Sequence, residues 1–360
     1  MEFQTRDMGI YLLKICTEGD KPGLLQFIRK YWKEDHILAH SDALLRFQHY
    51  NPTTNEYNFR IAINTRTGDI DGIIGLIPVS QYDAGLAGHN DTWGGIWKVR
   101  DDVENEEIGS LGLRLFNTFN RFRSHGSIAM SAIAIRMHAM MKYTACTLRQ
   151  YYILNPDCTN FRIAVIGSTR SLECRGIPPS DSVIKTIACI EDLGPDAVRP
   201  AYYPWKSLAY LANRFAKHPT YAYEFHGVYD RQSTIRAILV TRTIEFNGGK
   251  AIRIVDVFGS LDGVGSLRGE FERVLIEKGA EYVDLMNYGI PPVVFQSLGF
   301  SLLDVTGDTI IPNYFEPYVR ENITIHCAFR APSDYVIFKA DSDQDRPSIL
   351  HRTSLDVSIA

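Results

Sequence analysis

Residues 92–103 read TWGGIWKVRDDV, residues 104–122 read ENEEIGSLGLRLFNTFNRF, and residues 127–146 read SIAMSAIAIRMHAMMKYTAC. Their pattern predicts a strand, a Gly-containing turn, an amphipathic helix, a second strand and a second helix. Gly109 and Gly112 lie in the turn with Ser110 between them. Glycine lets backbone approach a ligand closely, and the unpaired N–H groups of a helix start face an anion. The run Ile108, Gly109, Ser110, Leu111 and Gly112 is therefore the expected seat of a pyrophosphate. The competing reading is that these glycines only shape a tight turn. Tyr143 is expected on the second helix, where its phenol could reach the end of the strand pair.

Upstream, Pro22 to Tyr31 has apolar residues at helical spacing, and Ser41 can cap a second helix, DALLRFQHY. NFRIAINT and IDGIIGLIPVS read as strands joined at Gly68-Asp69. Downstream, Phe161 to Ile166 reads as a strand, and the prolines between Gly176 and Pro204 read as a connector. The pattern then repeats. A helix from Trp205 precedes the strands TYAYEFHGVYD, IRAILVTRTIEF and IRIVDVFGSL. Gly263-Val-Gly265-Ser266 then leads into the helix GEFERVLIEKG, the strand AEYVDLM and the helix IPPVVFQSLGF. The expected fold class is α+β, with two tandem domains that each carry a mixed central sheet covered by helices. The expected boundaries are 1–175, a connector at 176–204, 205–348, and a C-terminus at 349–360 without strong pattern.

The chain has 360 residues, 45% hydrophobic and 22% charged, so it can bury a substantial core. Its net charge is −4 and no basic tract stands out, which argues against a nucleic-acid partner. Six cysteines are scattered without a C-x-x-C pair and are expected to be free thiols. No signal-peptide pattern and no apolar run of about 18 residues is present, so a cytoplasmic location without a membrane span is expected. The metalloprotease, Walker and nucleophile-elbow motifs are absent.

Each half resembles the GNAT acetyltransferase superfamily, whose turn reads Q/R-x-x-G-x-G/A and whose last helix reads A-x-x-x-Y-x-x-x-G-F. The first half matches at Gly109, Ala139 and Tyr143, and departs at Glu104, Glu107 and Thr147-Leu148. The second keeps Gly263, Gly265 and Gly299-Phe300, with Ser260 and Phe295 at the Arg/Gln and Tyr positions. The whole chain also resembles the tandem GNAT-like proteins of bacterial surface-polysaccharide gene clusters. The segments that carry this likeness are WKEDHI, LLRFQHYN, IDGIIGLIPVSQYD, IWKVRDD, PNYFEP and FKADSDQDRP. The resemblance implies transfer of an acetyl group from acetyl-CoA to the amine of a nucleotide-linked amino sugar, with no metal.

On that reading the amine must lose a proton and the leaving thiolate must gain one. Tyr143 is the candidate acid; packing is its competing role. His36 is the candidate base, oriented or replaced by Asp35; a surface or capping role is the alternative. Trp97 and Val99 would line the pantetheine, and Trp93 would stack on the acceptor sugar; core packing is the competing role for at least one of the two tryptophans. Asn313, Tyr314, Glu316, Lys339, Asp343 and Arg346 are candidate contacts to sugar hydroxyls and diphosphate, against a reading as a salt-bridged seam. Phe295 has no proton to give, which points to the first half for acetyl-CoA, although the cleaner glycine turn of the second half keeps that half open. Asp341, Asp343 and Asp345 alternate, but the segment lacks the glycine and closing glutamate of a calcium loop. Self-association is left open. An aminoacyl transferase of the Fem type and a degenerate pair that binds without chemistry are the rival readings.

Overall fold

The computed structural model describes residues 6–119, 122–167 and 182–349. Cys174, Pro178, Pro179 and the tail beyond Ile349 lie outside the described residues. The chain forms two compact units, one built from residues 1–77, 94–121 and 346–360, the other from residues 78–93 and 122–345. The class is mixed α/β, with mixed sheets and flanking helices, as expected.

The first unit begins with β1 (Arg6–Met8), β2 (Tyr11–Thr17), α1 (Lys21–Phe27) and α2 (Asp42–His49). It continues through β3 (Tyr50–Asn51), β4 (Glu56–Asn64), β5 (Ile70–Pro78, all but Pro78), the part of β6 (Asp91–Val99) from Gly94 on, and α3 (Ile108–Phe116); Asp91 to Trp93 of β6 belong to the second unit. Its strands run in the order β1-β2-β4-β5-β6, with β3 on β4. Ser41 caps α2 as its sequence predicts, its hydroxyl accepting the Leu44 N–H at 3.2 Å. Gly68 takes a positive φ of 79° in the β4–β5 turn, a conformation open to glycine. Leu24, Phe27, Leu44, Leu45, Phe59, Ile61, Ile73 and Ile96 form this unit's core.

The second unit holds β7 (Ser124–Ile128), α4 (Ala132–Met140), β8 (Thr144–Thr147), β9 (Arg149–Leu154), β10 (Val183–Ile187) and α5 (Leu208–Leu211). Then come β11 (Glu224–Tyr229), β12 (Ile235–Phe246), β13 (Gly249–Gly259), α6 (Arg268–Lys278), β14 (Tyr282–Tyr288) and α7 (Pro292–Ser297). The last strands are β15 (Ser301–Leu302), β16 (Tyr314–Phe315), β17 (Tyr318–Val319), β18 (His326–Arg330) and β19 (Ile337–Phe338). Its large sheet has the order β10-β11-β12-β13-β14-β9-β15, with β19 also on β14.

Strands cross between the sequence repeats. β9, from the first half of the sequence, pairs with β14 and β15 from the second. In return β18 sits between β7 and β8.

Three local expectations change. Phe161 to Ile166 is not a ladder strand. The Glu281 carboxylate accepts the N–H groups of Arg162, Ile163 and Ala164 at 2.8–3.1 Å, so those donors bond to a side chain instead of a neighbouring strand. The helix expected from Trp205 starts only after Ser207, whose hydroxyl accepts the Tyr210 N–H. Tyr143 lies three residues beyond the end of α4, because Lys142 turns to φ 63° and stops the helix.

Candidate functional site

The expected phosphate turn is the first turn of α3. Gly109 and Ser110 are exposed. The helix start is partly capped from within: Asn105 accepts the Glu107 N–H through Oδ1 and the Ile108 N–H through its carbonyl, and the Glu107 carbonyl accepts the Ser110 N–H. That leaves less of the turn for an anion than its glycines suggest. Glu107 turns away, accepting the Ile10 N–H at 3.2 Å and pairing with Arg114 at 2.7 Å. The Arg114 hydrogen bond holds its carboxyl below the usual carboxylate range. Trp97 and Val99 pack against this turn. Trp97 stands 5.4 Å from the Phe116 ring, and a Cβ on Gly112 would meet Trp97 Nε1 at 3.4 Å and Val99 at 3.5 Å.

His36 is buried at the end of a short loop, and Arg346 lies beside it, its guanidinium 3.3 Å from His36 Nε2. The Leu38 N–H lies 3.4 Å from Nδ1. A guanidinium and a backbone N–H only donate, so a donor faces each ring nitrogen and the single lone pair of the neutral ring is engaged in either tautomer. Burial, reinforced by the Arg346 charge, pulls the ring down to about 3, so it is neutral at ordinary pH.

The last residue of α2, which sequence reasoning passed over, has the opposite arrangement. His49 is 2% exposed, and its Nδ1 lies 3.1 Å from the Leu76 carbonyl. A carbonyl only accepts, so Nδ1 carries the proton and Nε2 the lone pair. The ring rests on Phe59 at 4.5 Å, and its Cε1 would lie 3.6 Å from a Cβ placed on Gly95. Gly95 is exposed, in the middle of β6. Two consecutive glycines inside a central strand were the available signal, since such glycines mark a close approach of ligand or backbone. The preceding residue, Gln48, is fully buried and its amide makes no hydrogen bond among the described residues.

In the second unit Tyr143 is buried among rings. It stands edge-on to His125 at 5.5 Å and to His138 at 4.9 Å, with the Arg330 guanidinium 5.1 Å from its centroid. Burial, opposed by Arg330, pushes the phenol up to about 12, so it holds its proton. Trp93 is buried against Tyr335 at 5.5 Å, with Gly126 leaving room for both.

The polar tail residues are spread over several contacts. Lys206 bridges Asp256 and Asp341 at 2.8 Å each, Arg214 pairs with Asp343 at 2.7 Å, and Arg242 grips Asp345 at 2.8 and 3.0 Å. Burial works against the Asp345 charge, but Arg242 outweighs it and holds the carboxyl well below its usual range. Glu316 accepts from the Tyr221 hydroxyl at 2.6 Å. Asn313 gives its carbonyl to Arg253 and its amide N–H to Ile323. Lys339 is 2% exposed, 4.5 Å from the Tyr314 centroid, and its amine makes no hydrogen bond among the described residues. Burial, with Arg253 adding to it, lowers it to about 7.

The two β–α–β crossovers differ in how they are closed. β6 and β7 run parallel from Asp91–Ser124 to Trp93–Gly126 only. β13 and β14 run parallel from Ala251–Tyr282 to Ile254–Leu285. Beyond that point β14 pairs instead with β19, at Asn287–Phe338 and Tyr288–Ile337. The Ala340 N–H bonds the Val255 carbonyl at 3.0 Å. The gap between β13 and β14 is thus occupied by the chain's own segment.

No protein-family model matches the sequence, and no curated protein matches it. Solved structures are similar at a distance. A GCN5-related N-acetyltransferase from Anabaena variabilis matches at a TM-score of 0.49 and 10% identity, over 89% of this chain and 72% of that one. A GCN5-related N-acetyltransferase from Sphaerobacter thermophilus matches at 0.43 and 12%, over 92% of this chain and 99% of that one. At these scores the likeness decides nothing about chemistry. Among the described residues no group of three or more His, Cys, Asp or Glu could hold a metal ion, and no helix is long and apolar enough to cross a membrane.

Proposed function

We propose that the protein is a tandem GNAT-like N-acyltransferase that uses acetyl-CoA in its first half. The acceptor is the amine of a nucleotide-linked amino sugar, as in the making of a surface polysaccharide. The observation that carries the choice of half is β19, which fills the gap between β13 and β14 where a pantetheine arm would otherwise pass. In this reading Trp97 and Val99 line the pantetheine, and the start of α3 at Gly109 faces the pyrophosphate. The amine nitrogen attacks the thioester carbon; a C–N bond forms, the C–S bond breaks, and the thiolate takes the Tyr143 proton. The amine proton leaves to water, because the expected base, His36, has donors at both ring nitrogens, Arg346 and the Leu38 N–H.

Purified protein is to be incubated with acetyl-CoA and a panel of UDP- and dTDP-linked amino sugars, with thiol release as readout. One member of the panel should release thiol, and Tyr143→Phe should slow it at least tenfold, in line with general acid catalysis worth about 10²–10⁴. No acetyl-CoA binding by calorimetry would favour a degenerate pair that binds its ligand without chemistry, a reading supported by the inner capping of α3.

A further inference from the structure

The geometry points to His49 as the hydrogen-bond acceptor that seats the N–H of an uncharged primary amine over Gly95. This rests on the acyl-transfer reading for its role and on the first unit's geometry for its place.

Gly95 and Gly75 are glycines for a packing reason. A Cβ on Gly75 would run into the Phe59 ring, and one on Gly95 would sit 3.2 Å from the Gly75 carbonyl. With no side chain at Gly95, the strand offers an exposed dent, and the edge of the His49 ring stands beside it. That ring is held by two contacts, the Leu76 carbonyl at Nδ1 and the Phe59 face at 4.5 Å. Nε2 has no hydrogen bond among the described residues. Nε2 is not among the fully enclosed side-chain atoms that lack a partner, so water or a ligand can reach its lone pair.

The charge around the ring selects the form of the amine. The ionised group that acts on His49 is Arg346, and the other titratable group near it is His36, which is neutral. Burial keeps His49 itself neutral, at about 3. The positive charge of Arg346 opposes an ammonium at this ring. A neutral amine meets a fixed lone pair. His49 therefore orients the nucleophile and does not strip its proton; the acceptor arrives already deprotonated from solution.

The test uses the full chain with 15N-labelled histidine and glucosamine as the probe amine, at pH values below and above that amine's own pKa. His49 Nε2 should be unprotonated throughout. Its resonance should move on adding glucosamine only above the amine's pKa, and not in Gly95→Val, which fills the dent. A protonated Nε2, or one that glucosamine leaves unmoved, overturns the inference. In turnover assays on the acceptor found above, His49→Asn, whose amide can still reach the Leu76 carbonyl, should lower kcat/KM for the acceptor at least tenfold. Its acetyl-CoA affinity should be unchanged. Activity within twofold of the parent, or a rate limb between pH 5 and 8 that vanishes in His49→Asn, also overturns it. Failure of the parent protein to bind acetyl-CoA would instead sink acyl transfer and leave the amine seat to the resonance measurement.

Discussion

Lys339 is a residue whose charge depends on the fold. An unfolded lysine titrates near about 10.4. Folded, burial and Arg253 bring Lys339 to about 7. Between those values the unfolded chain holds a proton that the folded chain has released, so stability rises as pH climbs from about 7 toward about 10. The slope is at most about 1.4 kcal/mol per pH unit. Urea unfolding at several pH values should show this rise in the parent and a flatter profile in Lys339→Met; parallel profiles would mean the amine is charged when buried. Gln48 makes a second case. Replacing it with Met removes a buried amide that has no partner and should stabilise the fold by about 1–3 kcal/mol in the same assay. Tyr143 could be read from its spacing to Ala139, and Asp343 could be read as functional or as part of a seam. Which partner each would meet was not legible: Arg214 lies 129 residues from Asp343. His49 was hidden because a histidine closing an apolar helix face looks like core.

At the scale of elements, local pattern was enough for α2, the β4–β5 hairpin and both β–α–β crossovers. Their caps, turns and apolar spacing lie within a few residues of one another. It failed at Phe161–Ile166, where the sequence alternates like a strand but Glu281, distant in sequence, captures its N–H groups. That capture predicts an outcome. Glu281→Ala leaves three donors without their carboxylate and should cost roughly 3 kcal/mol by urea unfolding. The amide protons of Ile163 and Ala164 should exchange faster in that variant than in the parent. Unchanged exchange would show that the segment is held by something other than the carboxylate.

For the whole molecule, a duplicated pattern was visible in the sequence, but the exchange of strands was not. Strand pairing leaves no mark on periodicity, and β9 and β18 each look like ordinary members of their own half. The exchange bears on how the chain can be divided. A fragment of residues 1–175 lacks the β14 and β15 neighbours of β9 and the β18 neighbour of β7. A fragment of residues 205–360 lacks β9, the strand between β14 and β15 in its sheet. Each fragment alone should be unfolded or aggregated by circular dichroism and gel filtration, and the two co-expressed should recover a soluble complex. A folded, monomeric 1–175 fragment would mean that β9 and β7 do not need these partners.

The same exchange sets a timetable during synthesis. β8 ends at residue 147, and the strand that must lie between it and β7 begins at residue 326. At about 5–20 residues per second the ribosome takes roughly 10–35 s to deliver it. Through that interval β7 and β8 present unpaired edges, the kind of surface that recruits other strands. A nascent chain of this protein is therefore a natural client for a chaperone, and slowing its translation should lower its soluble yield.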